Sequence, residues 1–182
     1  MPPGRRHDRD RRPPAAAHLG RRRRRAVRGG GVKSADRVLD VGCGTGATTR
    51  IAARPASRGY AVGVDIWEPL LRTAQKLTAA EKVANAWYQV ADARVHLFPR
   101  CGYDVIVSRG GVLSFADPAA AFRNLARALM PGGRLVLVCP RSRSGSDRVR
   151  AVLDGWENVE VEKYDRVRLV TADRSRRAPE VD

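Results

Sequence analysis

Apolar residues follow two rhythms along this chain, and from residue 37 onward the two alternate. "RVLDVG", "YAVGVDI", "AWYQVADA", "YDVIVSR" and "RLVLVC" are short apolar runs, as expected of strands buried on both faces. Between them the spacing turns helical. "ATTRIAA" begins a helix that Pro55 shortens or ends. "PLLRTAQKLTAAEKV" puts Leu70, Leu71, Ala74 and Leu77 on one face. "FADPAAAFRNLARALMPGG" carries its own punctuation: Asp117 as cap, Pro118 in the first turn, and "PGG" as the stop. Phe122, Leu125 and Leu129 are its expected buried stripe. "SDRVRAVLDG" predicts a last helix. "VEVEKYD" and "RVRLVTAD" alternate at period two with almost nothing between them, which predicts an antiparallel hairpin.

Strand and helix in alternation predict a doubly wound, mostly parallel sheet with helices on both faces, ending in an antiparallel strand pair. Such a sheet takes its ligand at the C-terminal strand ends, near the switch in strand order. The first of those ends runs straight into "GCGTG".

Composition separates the two ends of the chain. Thirteen of the 35 basic residues, but only three of the 19 acids, fall in residues 1–37. That stretch is rich in Arg, Pro and Gly and offers almost no periodic apolar residue, so residues 1–35 read as a disordered tail. Clustered arginines attract phosphate, but no aromatic residue is interleaved to stack on bases. Nucleic acid is therefore an available partner of the tail and not the favoured one. One domain is expected over 36–174, with a short tail at 175–182. Cys43, Cys101 and Cys139 are odd in number and widely spaced, which fits a reducing, cytoplasmic setting without disulfides. No apolar run has membrane-spanning length. No His/Cys spacing suggests a metal, and His96 reads as a surface residue at the end of the sheet away from the ligand.

Gly42-x-Gly44-x-x-Ala47 satisfies a dinucleotide-binding pattern, but three features point away from a dinucleotide. Asp40 would repel a pyrophosphate and attract a cation. Gly46 removes a side chain where that pattern asks for none to be removed. Asp65 and Asp92 place further carboxylates at the next two strand ends. Asp65 can accept both hydroxyls of a ribose. It can also cap a helix with Glu68, a role that Pro69 weakens by moving the helix start. Asp92 can hold a turn through its own side chain or accept from the amino group of adenine. The set asks for an adenosine with a cationic appendage and no phosphates.

"VLDVGCGTG", "GVDI", "ADA", the stretch from "YDVIVSRGG" to "GGRLVLVC" and the final strand pair resemble the class I S-adenosylmethionine-dependent methyltransferases, over about residues 36–172. The nearest branch acts on small molecules and includes quinone-biosynthesis enzymes. The resemblance implies a seven-stranded Rossmann-like sheet, S-adenosylmethionine as cofactor and a small-molecule methyl acceptor. It implies Asp40 near the methionyl ammonium, and Gly42, Gly44 and Gly46 as points of close approach. Asp65 would hold the ribose, with Ile66 against the adenine. Asp92 and Ala93 would contact the adenine, and Ser108 would face the methionyl end and the acceptor. The alternative is an impaired or truncated protein of this fold with a basic, nucleic-acid-binding tail.

Overall fold

The computed structural model describes residues 31–110, 112, 115–140, 149, 152–163 and 167–175. Its strands are β1 (Arg37–Val41), β2 (Tyr60–Asp65), β3 (Ala86–Val90), β4 (Tyr103–Arg109), β5 (Leu129–Pro140), β6 (Trp156–Lys163) and β7 (Val167–Arg174). Its helices are α1 (Ala47–Ala53), α2 (Glu68–Ala80) and α3 (Pro118–Ala128). The strands form one sheet in the order β3-β2-β1-β4-β5-β7-β6. Every pairing from β3 to β5 is parallel, and β7 is antiparallel to both β5 and β6. The seven-stranded sheet with its antiparallel C-terminal pair is the architecture the sequence predicts.

Strand order reverses at β1, with β2 on one side and β4 on the other. Register keeps the C-terminal ends level: Val41 lies opposite Val64 and Ser108, and Asp65 opposite Val90. Alternation along β1 then divides the core. Leu39 and Val41 join Ile106, Phe122 and Leu125 on the α3 face. Val38 joins Ala52, Val105 and Val107 on the α1 face. Leu39 is fully buried, and burying a leucine contributes about 1.5–3 kcal/mol. Truncation to alanine at such a site costs about 2–5 kcal/mol.

Residues 31–35 pack against this unit. Val32 lies against the α1-face cluster, and the Ser34 carbonyl accepts from the amides of Arg58 and Gly59. Arg134 donates to the Gly31 carbonyl and to Asp36, closing the turn that leads into β1.

Three local expectations are corrected. The buried face of α2 is Leu71, Ala74 and Thr78, while Leu77 is exposed, so the stripe is rotated by one position. Helix α3 is capped by Asp117, whose carboxylate accepts from the Ala120 amide as predicted, but it ends at Ala128. Leu129 is buried as the first residue of β5, opposite Tyr103, before "PGG" can act. On β6 both faces are wet: Val159 and Val161 are 44% and 47% exposed, because β6 is an edge strand. Of the helix expected over 146–155, residues 146–148, 150 and 151 lie outside the described residues; Val149 and Val152 are helical.

Candidate functional site

After Val41 the chain turns through three left-handed glycines, Gly42 (φ 68°), Gly44 (φ 54°) and Gly46 (φ 72°). Backbone donors hold the turn against β2. The amides of Gly42 and Cys43 both reach the Val64 carbonyl, at 2.9 and 3.1 Å. The Gly44 amide donates to Asp65 Oδ2 at 2.9 Å. Arg50, buried on α1, donates to the Thr45 carbonyl at 2.8 Å and to Glu81 at 3.0 Å, so α2 braces the loop through α1.

Gly46 has a local cause that the sequence does not reveal. A Cβ there would stand 2.3 Å from the Tyr88 hydroxyl and 2.6 Å from two of its ring carbons. Tyr88, on β3, is itself held by a 2.7 Å hydrogen bond with the Thr78 hydroxyl on α2. At Gly44 the same construction meets only Leu70 Cδ1, at 3.8 Å, so that position is open.

Asp40 is buried and shares its sheet face with Val38. Thr49 on α1 donates to its carboxylate at 2.6 Å. The carboxylate thus lies beneath the loop rather than on its outer surface. Burial, and then the charges of Asp40 and Asp65, push the Cys43 thiol well up, so it is inert as a nucleophile.

Asp65 is half-buried at the end of β2. Helix α2 takes Trp67 as its cap residue with no side-chain cap bond, and Pro69 lies in its first turn, so Asp65 is not the helix cap. Its two oxygens instead accept from the Gly44 and Trp67 amides, at 2.9 and 3.0 Å. Each oxygen keeps a second lone pair. Beside it Ile66 and Trp67 are 69% and 61% exposed, an apolar shelf at the rim.

Asp92 stands two residues beyond β3. It accepts from the Arg94 amide at 3.0 Å and from that guanidinium at 2.6–3.1 Å. The side-chain bonds from Arg94, then its backbone bond, hold the carboxyl below its ordinary range. The turn-holding role is therefore filled. Ala93 is buried, and its carbonyl accepts from Asn124 on α3. The Ala91 amide donates to the Asp65 carbonyl, which ties this turn to the end of β2. Ser108 is buried in the other direction along the rim; its hydroxyl donates to the Val41 carbonyl at 2.8 Å and accepts from the Val112 amide at 3.3 Å.

The named residues thus share one edge of the sheet. Gly42 and Gly44 are bonded to the end of β2 at Val64 and Asp65, Asp40 lies beneath the loop on Thr49, Ser108 is tied to Val41, and Asp92 with Ala93 flanks the loop on the β3 side. His96 is not where the sequence reading puts it. Its amide bonds the Asp92 carbonyl, and its half-buried ring lies 3.4 Å from Gln89 and edge-on to Phe98. It therefore sits near the C-terminal end of β3, because the chain turns back over the strand before reaching β4. Thr49, Arg50 and Tyr88 complete the site; from sequence Thr49 and Arg50 look like ordinary helix residues, and Tyr88 offers no more than local apolar cover. Among the described residues no group of three His, Cys, Asp or Glu could hold a metal. No helix among them is long and apolar enough to cross a membrane.

Comparison with known proteins matches this geometry to a family. A methyltransferase domain family model covers residues 38–133. Aklanonic acid methyltransferase of Streptomyces sp. strain C5 is 32% identical over 112 residues, 61% of this chain and 51% of that protein. Demethylmenaquinone methyltransferase of Thermus thermophilus is 35% identical over 116 residues, 64% of this chain and 52% of that protein. The chain therefore spans about half the length of the curated relatives it matches. The crystal structure of a SAM-dependent methyltransferase from Aquifex aeolicus superposes with a TM-score of 0.72 at 17% identity, covering 83% of this chain and 88% of that one, which shows the shared fold. The chain belongs to the methyltransferase domain family, and so to the S-adenosylmethionine-dependent methyltransferases that its sequence resembles.

Proposed function

We propose that this chain transfers a methyl group from S-adenosylmethionine to a small-molecule acceptor. The observation that carries the reading is Asp65: a carboxylate fixed by two backbone amides, with lone pairs to spare, facing the edge of a loop stripped of side chains. That donor set suits a ribose diol. A pyrophosphate would meet Asp65 on the rim with Asp40 buried beneath the loop, and like charges in a partly dry crevice repel. The residues present therefore fit a cationic nucleoside better than a dinucleotide.

In this reading Asp65 accepts the ribose hydroxyls and Ile66 lies against the adenine. Asp92 and Ala93 mark the adenine end. Gly42, Gly44 and Gly46 admit the cofactor close to the backbone. Asp40 acts from beneath the loop as a buried negative charge that favours the methionyl ammonium. Ser108 positions the backbone where β4 meets the acceptor. When bound, the cofactor supplies a methyl group on a cationic sulfur, which is already an activated leaving group. The task left to the protein is alignment and exclusion of water, which can lower a barrier by about 7–11 kcal/mol. No side chain need act as a general base unless the acceptor must lose a proton. A cytoplasmic setting accords with the three free cysteines, Cys43, Cys101 and Cys139.

Calorimetry with S-adenosylmethionine and S-adenosylhomocysteine tests this reading. Saturable binding of both, abolished in Asp65→Ala, is the expected result. Failure of the unaltered chain to bind either would overturn it.

A further inference from the structure

The acids of the rim lie to one side, Asp92 among them already paired with Arg94. Asp40, Asp65 and the turn of Asp92 belong to β1, β2 and the end of β3. On the other side of β1 the last residue of β4 is Arg109, and its side chain is exposed. Arg109 follows Val105 and Val107 on its face of β4, and Val107 is the register partner of Asp40. Arg109 and Asp40 therefore share a sheet face. Two residues of rise and one strand spacing put their Cα atoms about 8 Å apart.

Among the described residues the Arg109 guanidinium has no hydrogen-bond or ion-pair partner. Arg37, Arg50, Arg54, Arg94 and Arg134 each bond a carboxylate. Arg123 and Arg127 are exposed on α3, away from the rim. Arg109 is followed by Gly110, where an added Cβ would meet nothing within 4 Å. Ser108 is locked to Val41 and Val112, so the strand end that carries Arg109 is rigid. An exposed guanidinium on a tied strand end, next to a glycine and with buried Asp40 already bonded to Thr49, is placed to receive an anion from outside.

Resting on the methyltransferase reading above, we infer that Arg109 selects acceptors bearing an oxyanion, a ring carboxylate or an ionised phenol, and pairs with it on the β4 side of the crevice. The acids on the β1–β3 side then serve the cationic cofactor, and the two charges sort the two ligands. An acceptor held by Arg109 has its ring set beside Gly110, which brings no side chain of its own. Arg109 orients the acceptor; it exchanges no proton and forms no covalent bond.

The test uses the full chain saturated with S-adenosylhomocysteine. Benzoate and 4-nitrophenolate are the two oxyanion probes, and benzamide is the neutral control. Binding is followed by calorimetry and by the arginine Nε–Hε resonances, with Arg109 assigned through Arg109→Gln. At least one oxyanion should shift the Arg109 resonance saturably, while benzamide leaves it in place. Arg109→Gln should weaken that oxyanion about tenfold or more and leave S-adenosylhomocysteine affinity within about twofold. A response to benzoate alone identifies a carboxylate pocket, and a response to 4-nitrophenolate alone a phenolate pocket; either supports the inference. An unmoved resonance, an equal response to benzamide, or full oxyanion affinity in Arg109→Gln overturns it. Failure of the unaltered chain to bind S-adenosylhomocysteine instead counts against the parent reading, and the probes are then read on the free chain.

Discussion

Thr49 donates to Asp40 across 2.6 Å, from the third residue of α1 to the fourth of β1, with both side chains buried. This bond joins the helix after the glycine loop to the strand before it. Removing the donor leaves a buried carboxylate short of a partner, which costs about 1–3 kcal/mol or more for a charged group. Thr49→Val is expected to lower unfolding free energy by at least that amount, while Thr49→Ser keeps most of it. Urea denaturation of the three proteins reads the difference. The loop depends on this joint, so S-adenosylmethionine affinity should fall in Thr49→Val and persist in Thr49→Ser.

Gly46 and Tyr88 make a second pair that can be tested as a pair. Alanine at Gly46 faces a left-handed backbone cost of about 1–2 kcal/mol and, in addition, the Tyr88 ring. Gly46→Ala should therefore destabilise by more than the backbone cost alone. Tyr88→Ala removes the obstacle but also the bond to Thr78. Combining the two should be less harmful than the sum of the separate losses, by more than about 0.5 kcal/mol. Strict additivity in a denaturation cycle would mean that the ring is not what confines Gly46.

Much of this site is written in local sequence, and the remainder is not local. The runs that form β1, β2 and β4 are legible because these central strands are buried on both faces and need unbroken apolar stretches. The glycines are legible because L-residues avoid their φ values. That Gly46 answers to Tyr88 is not legible, because 42 residues separate them and only the fold brings them together. The inward turn of Asp40 toward Thr49 is hidden for the same reason. The end of α3 misleads in the opposite sense. "PGG" is a proper stop signal, but the pairing of Leu129 with Tyr103 draws the chain into β5 first. Pro69 was informative because its constraint is local: it denies Asp65 the capping role, and Asp65 bonds Gly44 and Trp67 instead.

Asp65 has two separable tasks, one toward the loop and one toward the proposed ribose. Asp65→Asn keeps an oxygen for the Gly44 amide but loses the charge. Asp65→Ala loses both. Thermal stability should therefore fall in Asp65→Ala and fall less far in Asp65→Asn, whose single oxygen can accept from only one of the Gly44 and Trp67 amides. Affinity for S-adenosylhomocysteine should fall in both, by about tenfold or more even in Asp65→Asn, since a bond to a charged group is lost. Calorimetry beside a melting curve separates the tasks. An Asp65→Asn variant with full affinity would show that the carboxylate charge is not used for the ribose.

Glu81 makes the stability of the α1–α2 brace depend on pH. The hydrogen bond from Arg54, and further the charges of Arg50 and Arg54, hold its carboxyl below the ordinary glutamate range against a smaller opposing effect of burial. A carboxyl whose folded value lies below its unfolded one binds fewer protons in the native state over that interval. Its stabilisation is present above the ordinary value, about 4.3, and is lost as pH falls through the lowered folded value. Glu81→Gln should therefore be less stable than the unaltered chain near neutral pH, and the two should converge in acid. The Arg54 contact is exposed, and salt should weaken it. The buried Arg50 guanidinium keeps most of its dependence on Glu81 in salt, because water does not replace the lost partner. Chemical denaturation midpoints from pH 7 down to pH 3, at low and high salt, measure both effects. A Glu81→Gln deficit that stays constant across that range would show that packing of the side chain, rather than its charge, holds α1 to α2.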